Sequence, residues 1–146
     1  MKVRQISERK AINDVASTTA NVTLADVASK LGALKIGCLV VLDADGGLSG
    51  ILSERDIVRA VGEQGGGCLD QPASSVMTRE VMTCTPEDSA ASILERMSEG
   101  RFRHMPVMEN GRVVALVSIG DMVKAKIEDL EKDNEAMETM IRSATA

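Results

Sequence analysis

Apolar residues recur at intervals of three and four in two separate segments of the chain. The periodic positions are Leu24, Val27, Ala28 and Leu31 in the first segment and Ala90, Ile93, Leu94 and Met97 in the second. This spacing places apolar side chains on one face of an α-helix. Residues 85–88 add start signals before the second segment. The pattern therefore predicts two amphipathic helices.

Two apolar runs separated by a turn follow each predicted helix, which is typical of a β-hairpin. The runs cover residues 36–42 and 48–52 in the first half of the chain and residues 105–108 and 113–117 in the second. Ser53 and Ser118 follow the two hairpins, where a helix needs an N-cap, and Asp56 and Asp121 come three residues later. Each hairpin is thus predicted to lead into a second helix.

The two halves are copies of one unit. Adding 66 to the residue number places residues 14–19 on 80–85, and adding 65 after the first hairpin turn places residues 56–59 on 121–124. A short extended piece precedes the first helix of each copy, so each copy is predicted as β-α-β-β-α. Neither copy is large enough to close a core alone, and we expect the two to share one aliphatic core.

A glycine-rich stretch lies between the copies. Residues 62–72 include Gly65, Gly66 and Gly67, but no Lys-Ser or Lys-Thr pair follows, as a phosphate-binding loop would require. We interpret the stretch as a flexible linker. Residues 75–78 predict a short helix that opens the second copy.

The composition narrows the classes of function. Of the 146 residues, 44% are hydrophobic but only 1% are aromatic, which argues against proteins that stack nucleic acid bases on aromatic side chains. The net charge of -5 lacks the basic excess of duplex-binding proteins. No stretch has the length of a membrane span or the pattern of a secretory signal. Cys38, Cys68 and Cys84 lack metal-ligand spacing, so we expect a cytoplasmic protein with buried, inert thiols and no metal site.

The recurring motifs resemble those of CBS domains. Residues 50–56 and 115–121 look like the motif that closes each CBS hairpin, and residues 75–78 and 103–107 look like signatures of a second copy. The chain is therefore similar to a CBS-domain pair, the Bateman module. It departs from the usual pattern at Ala115, where glycine is common, and at residues 38–40, where a His-x-Pro form is common.

The resemblance implies an α+β, sandwich-like fold in which tandem repeats pack pseudo-symmetrically, followed by a long C-terminal helix. The implied domains are repeat one at 1–65 with a short N-terminal helix, a linker at 66–74, repeat two at 75–126 and a helical extension at 127–146. The resemblance also implies a regulatory ligand, an adenine nucleotide such as AMP, ADP, ATP or NAD(H), held in clefts between the repeats.

The candidate ligand-binding residues come from both copies. By spacing alone, Ser53, Asp56, Ser118 and Asp121 could be helix-capping residues only, whereas the resemblance assigns them to ribose and phosphate. Arginine suits phosphate recognition. The further candidates are Arg55, Arg103 and His104 near phosphate, Thr19 and Thr85 at the cleft edges, and Ile36, Gly37 and Cys38 around one adenine, with Phe102, Met105 and Pro106 around the other. Ordinary core packing is the alternative for the apolar members of this set.

The chain after Asp121 has one long helical pattern. Its seam alternates steps of four and three through Val123, Ile127, Leu130, Asn134, Met137 and Ile141. Such a seam is typical of a coiled coil, in which a polar residue can fix the register. Residues 126–146 also hold six acidic against three basic residues, which accounts for much of the net charge. We expect a homodimer that forms through this helix, and the alternative is a helix that packs on its own protein.

Two functions stay open from the sequence. The first is a regulatory module in signal transduction or allosteric control, which would bind an adenosine-containing small molecule and act through an unidentified effector protein. The second is a dimerising scaffold with no physiological nucleotide. An enzyme is disfavoured because the single histidine, His104, has no recognisable nucleophile beside it and no catalytic cofactor is indicated. Nucleic acid and membrane are not expected as partners.

Overall fold

The computed structural model describes residues 1–9 and 15–145. After helix α1 (Val3–Arg9), the first repeat consists of β1 (Ser17–Thr19), α2 (Leu24–Leu34), β2 (Cys38–Leu42), β3 (Leu48–Ser53) and α3 (Glu54–Gln64). Two short 3₁₀ helices, Gly66–Asp70 and Ala73–Ser75, connect it to the second repeat of α4 (Ala90–Gly100), β4 (His104–Glu109), β5 (Arg112–Ser118) and α5 (Ile119–Thr145). The predicted α+β class, the tandem repeat and the long C-terminal helix are confirmed.

Each repeat arranges its strands in a small sheet. Strand β1 runs parallel to β2, with Ser17 opposite Val40, and β2 pairs antiparallel with β3. Strands β4 and β5 form the corresponding hairpin. In the second repeat, the extended piece predicted at 83–85 makes a single parallel bridge, between Cys84 and Val107. The second sheet therefore has two strands where the first has three.

The first helix of each repeat starts and ends in the same way. Thr23 caps α2 by accepting a hydrogen bond from the Asp26 N–H, and Ser89 caps α4 by accepting one from Ser92. Both helices end on a residue other than glycine in the left-handed conformation, Lys35 with φ 54° and Arg101 with φ 56°. The repeat seen in the sequence is thus also a repeat of local backbone geometry.

The buried apolar side chains form two clusters, and the prediction of one shared core is wrong. The first cluster takes Leu24, Val27, Leu31, Leu39, Val41, Leu52, Ile57 and Ala60 from the first repeat. The second takes Ala90, Ile93, Met97, Met105, Val107, Ala115, Val117, Met122 and Ala125 from the second repeat. A small repeat can close a core of its own here because each cluster also includes residues from outside its repeat.

The core of each repeat is completed by the segment that precedes the other repeat. Val3 of α1 lies ahead of the first repeat but is buried in the second cluster. Cys68 and Ala73 lie ahead of the second repeat but are buried in the first. Equivalent backbone hydrogen bonds hold both segments, since the Val3 N–H donates to Asp88 O at 2.9 Å and the Ala73 N–H donates to Val22 O at 2.7 Å. The two leading segments are therefore exchanged between the repeats.

The connection between the repeats is not the flexible linker that the sequence predicted. It forms the two 3₁₀ helices, and Cys68 within it is fully packed in the first cluster. The helix predicted at residues 75–78 is also wrong, because the 3₁₀ helix ends at Ser75 and Met77 is buried against the first repeat. The connection is therefore packed on the first repeat through these side chains.

Candidate functional site

Both predicted helix caps are formed. The Ser53 hydroxyl oxygen accepts a hydrogen bond from the Asp56 N–H at 3.3 Å, and Asp56 Oδ2 accepts from the Ser53 N–H at 2.9 Å. In the second repeat, the Ser118 hydroxyl oxygen accepts from the Asp121 N–H at 3.2 Å, and Asp121 Oδ2 accepts from the Ser118 N–H at 2.8 Å. Each pair is a capping box that satisfies backbone donors at the start of α3 or α5.

A cleft of about 550 Å³ opens beside the first capping box. One wall comes from the first repeat and includes Gly37, Cys38 and residues 53–56. The opposite wall is residues 100–104 of the second repeat, and residues 80–82 of the connecting segment also line the cleft. A volume of this size suits a small organic ligand. The cleft lies between the two repeats, where the sequence analysis expected a ligand.

The connecting segment reaches this cleft through a backbone bridge to β3. The Ile51 N–H donates to Thr78 O at 3.0 Å, and the Thr78 N–H donates to Ile51 O at 2.9 Å. Gly50 permits this approach, because a β-carbon on Gly50 would lie 2.8 Å from Thr78 O. This wall of the cleft was not predicted from the sequence, although the contrast between Gly50 and its equivalent Ala115 was a visible signal.

The segment just before β2 and the segment at the start of β4 meet in the cleft. The Glu54 N–H donates to Gly37 O at 2.9 Å, and the Ile119 N–H donates to Arg103 O at 2.8 Å at the equivalent position. A β-carbon on Gly37 would lie 3.8 Å from His104 Cε1. These bonds tie the start of each capped helix to the segment just before β2 or β4. A ligand in the cleft would therefore touch both repeats.

The cleft is rich in charged side chains. Its cationic residues are Arg55, Arg59, Arg101 and Arg103, and its acidic residues are Glu54, Asp56 and Glu80. Arg59 Nη1 lies 3.8 Å from Asp56 Oδ1. Guanidinium groups bind phosphate oxygens through paired N–H donors, and a carboxylate can accept hydrogen bonds from ribose hydroxyls. The arrangement therefore offers complementary groups to both polar parts of a nucleotide.

All three cysteines are buried free thiols, as predicted. Burial, and to a smaller extent the Asp56 carboxylate, raises the pKa of the Cys38 thiol to about 12. Burial and the Asp88 carboxylate raise the pKa of the Cys84 thiol to about 11. Because the thiolate is the reactive form, Cys38 contributes to the cleft as a small apolar side chain.

Half of the predicted site residues line this cleft: Gly37, Cys38, Ser53, Arg55, Asp56, Arg103 and His104. The other predicted residues lie outside its lining: Thr19, Ile36, Thr85, Met105, Pro106, Ser118 and Asp121. The residues that the sequence analysis did not select are Ile51, Glu54, Arg59, Thr78, Gly100, Arg101 and residues 80–82. Several of them belong to the connecting segment, whose path the repeat pattern does not specify.

The residues outside the lining have other surroundings. Met105 is buried in the second cluster, and Ile36 packs against the first. Thr19 and Thr85 have exposed side chains. Phe102 lines the same cleft as Gly37 and Cys38, so the expectation that it serves a different adenine site is wrong. The reason is that residues 100–104 cross from the second repeat to face the first capping box.

A β-α-β-β-α repeat and an α-β-β-α repeat with a ligand-sized cleft between them define a paired-repeat module. The CBS domain family matches residues 3–63 and 73–128. The chain belongs to the CBS-domain family.

Relatives of similar length support the assignment. An uncharacterized 17.7 kDa protein of Acidianus ambivalens is 34% identical over 128 residues, which is 87% of this chain and 74% of that protein. The crystal structure of a CBS-domain containing protein of Agrobacterium tumefaciens has a TM-score of 0.83 and 44% identity, and the match covers 86% of this chain and 99% of that one. A CBS domain protein of Pyrobaculum aerophilum, complexed with AMP, has a TM-score of 0.73 and 27% identity over 83% of this chain and 89% of that one.

The chain also matches longer proteins. It spans less than a quarter of the length of several CBS domain-containing proteins of Arabidopsis thaliana. Within residues 1–9 and 15–145, no group of three or more His, Cys, Asp or Glu side chains could hold a metal ion. No helix in the described part of the chain combines the length and apolar character needed to cross a bilayer.

Proposed function

We propose that this chain is a regulatory module that binds an adenine nucleotide in the cleft beside the first capping box. The observation that carries the proposal is the convergence of Asp56 with four arginines on one ligand-sized space between the repeats. The AMP complex of the Pyrobaculum aerophilum relative supports an adenosine-type ligand. The charges favour an anionic ligand within the set AMP, ADP, ATP and NAD(H).

The proposed pose follows from the chemistry of the walls. Asp56 Oδ2 is occupied by the capping box, so its Oδ1 would accept from ribose hydroxyls. Arg103 and Arg101 on the opposite wall would hold phosphate. Val81 and the Ile51 side chain of β3, two apolar residues of the lining, would contact the adenine ring.

Regulation, rather than catalysis, is the role we propose for the bound nucleotide. A ligand that touches both walls would bias how the repeats sit against each other, and it can shift that equilibrium only by its differential affinity for the two arrangements. We place the protein in the cytoplasm, since its buried free thiols suit a reducing compartment. The output would pass to an effector protein.

We propose that the module acts as a homodimer. Val58 on α3 is 70% exposed and Val123 at the equivalent position on α5 is 43% exposed. We propose that these two side chains, exposed at equivalent positions of the two repeats, lie in the interface between the copies. The second candidate function, a scaffold with empty clefts, rests on this same observation.

Calorimetric titration with AMP, ADP, ATP and NAD(H) separates the two functions. We expect at least one of these nucleotides to bind with a dissociation constant below about 1 mM, an affinity of about -4 kcal/mol or stronger. Arg103→Ala should weaken that binding by about tenfold, the effect of losing one charge-assisted contact. Arg112→Ala, at an exposed position outside the cleft, is the matched control. If all four nucleotides fail to bind, the scaffold function replaces the proposal.

A further inference from the structure

The distal part of α5 leaves the body of the protein as a single exposed helix. Met122 and Ala125 anchor the start of α5 in the second cluster. From Leu130 to residue 144, every side chain is exposed. The alternative that this helix packs on its own protein is therefore wrong for these residues. An isolated helix of this length is marginally stable in water unless another surface packs against it.

The exposed segment has the seam of a two-stranded coiled coil. Leu130 is 51% exposed, Met137 is 61% exposed and Ile141 is 60% exposed. With Ile127 and Asn134 these residues alternate in steps of three and four, so they occupy the a and d positions of successive heptads. The seam lies at a and d, with Met140 beside it at a g position, and such a stripe is narrower than the apolar face of a helix in a globular core. The pattern favours one partner helix over a broad protein surface.

We propose that the distal segment of α5, residues 127–141, pairs with the same segment of a second copy as a parallel, in-register, two-stranded coiled coil. The proposal deepens the homodimer part of the proposed function, and it does not depend on nucleotide binding. It names the second copy as the occupant of the exposed seam and fixes the orientation of the two modules.

Asn134 decides the orientation. It occupies an a position, and in a parallel in-register pair each a residue faces the same residue of the second copy. The two amides can then hydrogen-bond to each other. In an antiparallel pair an a residue faces a d residue, so Asn134 would lie against Leu130 or Met137 of the second copy. That arrangement buries an amide without a partner, which costs free energy.

At the end of the seam nearest the folded module, the flanking charges favour pairing with a second copy. In the parallel register Lys126, at a g position, faces Glu131 of the second copy at an e position, and symmetry gives two such pairs. Asp133 faces Glu138 of the second copy, which places like charges near the distal end. The attractive pairs thus lie next to the folded module, where α5 is already fixed and helix nucleation has no further cost.

Disulfide cross-linking of Asn134→Cys tests the orientation. Under a mild oxidant, we expect most of the N134C protein to migrate as a covalent dimer on non-reducing electrophoresis. Glu135→Cys, one residue further along on the outer face, is the matched control and should migrate as a monomer, because its thiols do not face each other across the seam. The three native cysteines are buried. The parent protein, treated with the same oxidant, therefore measures how much covalent dimer forms without the introduced cysteine. Adding Leu130→Glu and Met137→Glu to N134C should reduce the covalent dimer at least fivefold.

The cross-linking result overturns the proposal if N134C forms no more dimer than E135C. That outcome would mean an antiparallel pair or a different occupant of the seam. The L130E/M137E changes lie outside both core clusters, and an unchanged melting temperature shows that the module is still folded. Titration of reduced N134C with AMP reports the proposed function separately. A dimer without nucleotide binding leaves this inference standing, and binding without a dimer rejects it alone.

Discussion

The two capping boxes share their hydrogen bonds and differ in their surroundings. Each aspartate accepts from the serine N–H, and each serine accepts from the aspartate N–H. The positions that follow are Glu54, Arg55 and Arg59 in the first repeat and Ile119, Gly120 and Lys124 in the second. A capped helix start is needed in both repeats, so it recurs. The charged side chains around it differ: the first box has the guanidinium groups of Arg55 and Arg59, which we propose bind phosphate, beside Glu54, and the second has Lys124.

Gly50 is the position where a substitution should separate the two repeats most strongly. Gly50→Ala should destabilise the protein by about 1–3 kcal/mol, because the added methyl group would overpack against Thr78. In the second repeat the equivalent residue is already Ala115. Gly62→Ala in α3 is the control, since no atom lies within 4 Å of its added β-carbon. It should instead stabilise the helix by about 0.5–1 kcal/mol. Urea denaturation measures the free energy of unfolding of both variants. Equal changes in the two would contradict the close approach of Thr78 to Gly50.

The aspartates test whether the boxes differ in function. Asp56→Ala and Asp121→Ala should each lower the free energy of unfolding by about 1 kcal/mol, because each removes the carboxylate that accepts a hydrogen bond from the serine N–H, while the serine hydroxyl still caps the helix. Only Asp56→Ala should also weaken nucleotide binding, by about tenfold. Thermal melts and calorimetric titration of the two variants give both quantities. Equal loss of affinity in the two variants would show that the cleft beside the first box is not the preferred site.

The smallest difference concerns the arginine that the second repeat replaces with lysine. Arg59→Lys makes the first box resemble the second, where Lys124 occupies the position. It keeps the charge but loses the planar pair of donors, so we expect a two- to fivefold weaker nucleotide affinity, or about 0.4–1 kcal/mol. Lys124→Arg is the reciprocal control and should leave affinity unchanged. A stronger effect of Lys124→Arg would contradict the assignment of phosphate to the first box.

The thiols give a prediction about reactivity without a change in stability. Because burial raises the pKa of Cys38 to about 12, less than one thiol in a thousand is ionised at pH 8. We expect Cys38 to resist a colorimetric thiol reagent in the folded protein although it lines the cleft. All three cysteines should react after unfolding in guanidinium chloride. Rapid reaction of one thiol under native conditions would show that the cleft wall opens.

The repeat and its helix caps were predictable from the sequence because they depend on local spacing. A serine followed three residues later by aspartate forms the same box wherever a helix starts, and both boxes are found. The shared core was predicted wrongly, because spacing says which side chains are buried but not against what. Nothing in the sequence pattern around Val3 indicates that it packs on the second repeat. Nothing around Cys68 indicates that it packs on the first.

The cleft was only partly predictable for the same reason. Gly37, Asp56 and Arg103 lie in repeat motifs, and their approach follows from the pairing of the repeats. Thr78 and Glu80 enter the cleft because the connecting segment bridges to β3, which is a contact between distant parts of the chain. Gly50 was a local sign of this bridge, since a glycine inside a strand can mark a close backbone approach.

The exchange of leading segments means that neither repeat is a complete folding unit at its own boundary. Residues 1–65 alone would lack Cys68 and Ala73, and a fragment starting at residue 66 would lack Val3. A single repeat could finish its core only by taking a leading segment from another copy, as in a segment-swapped dimer. Joining two repeats in one chain makes that exchange intramolecular, so the two halves are supplied in equal numbers and meet at a concentration set by the chain itself.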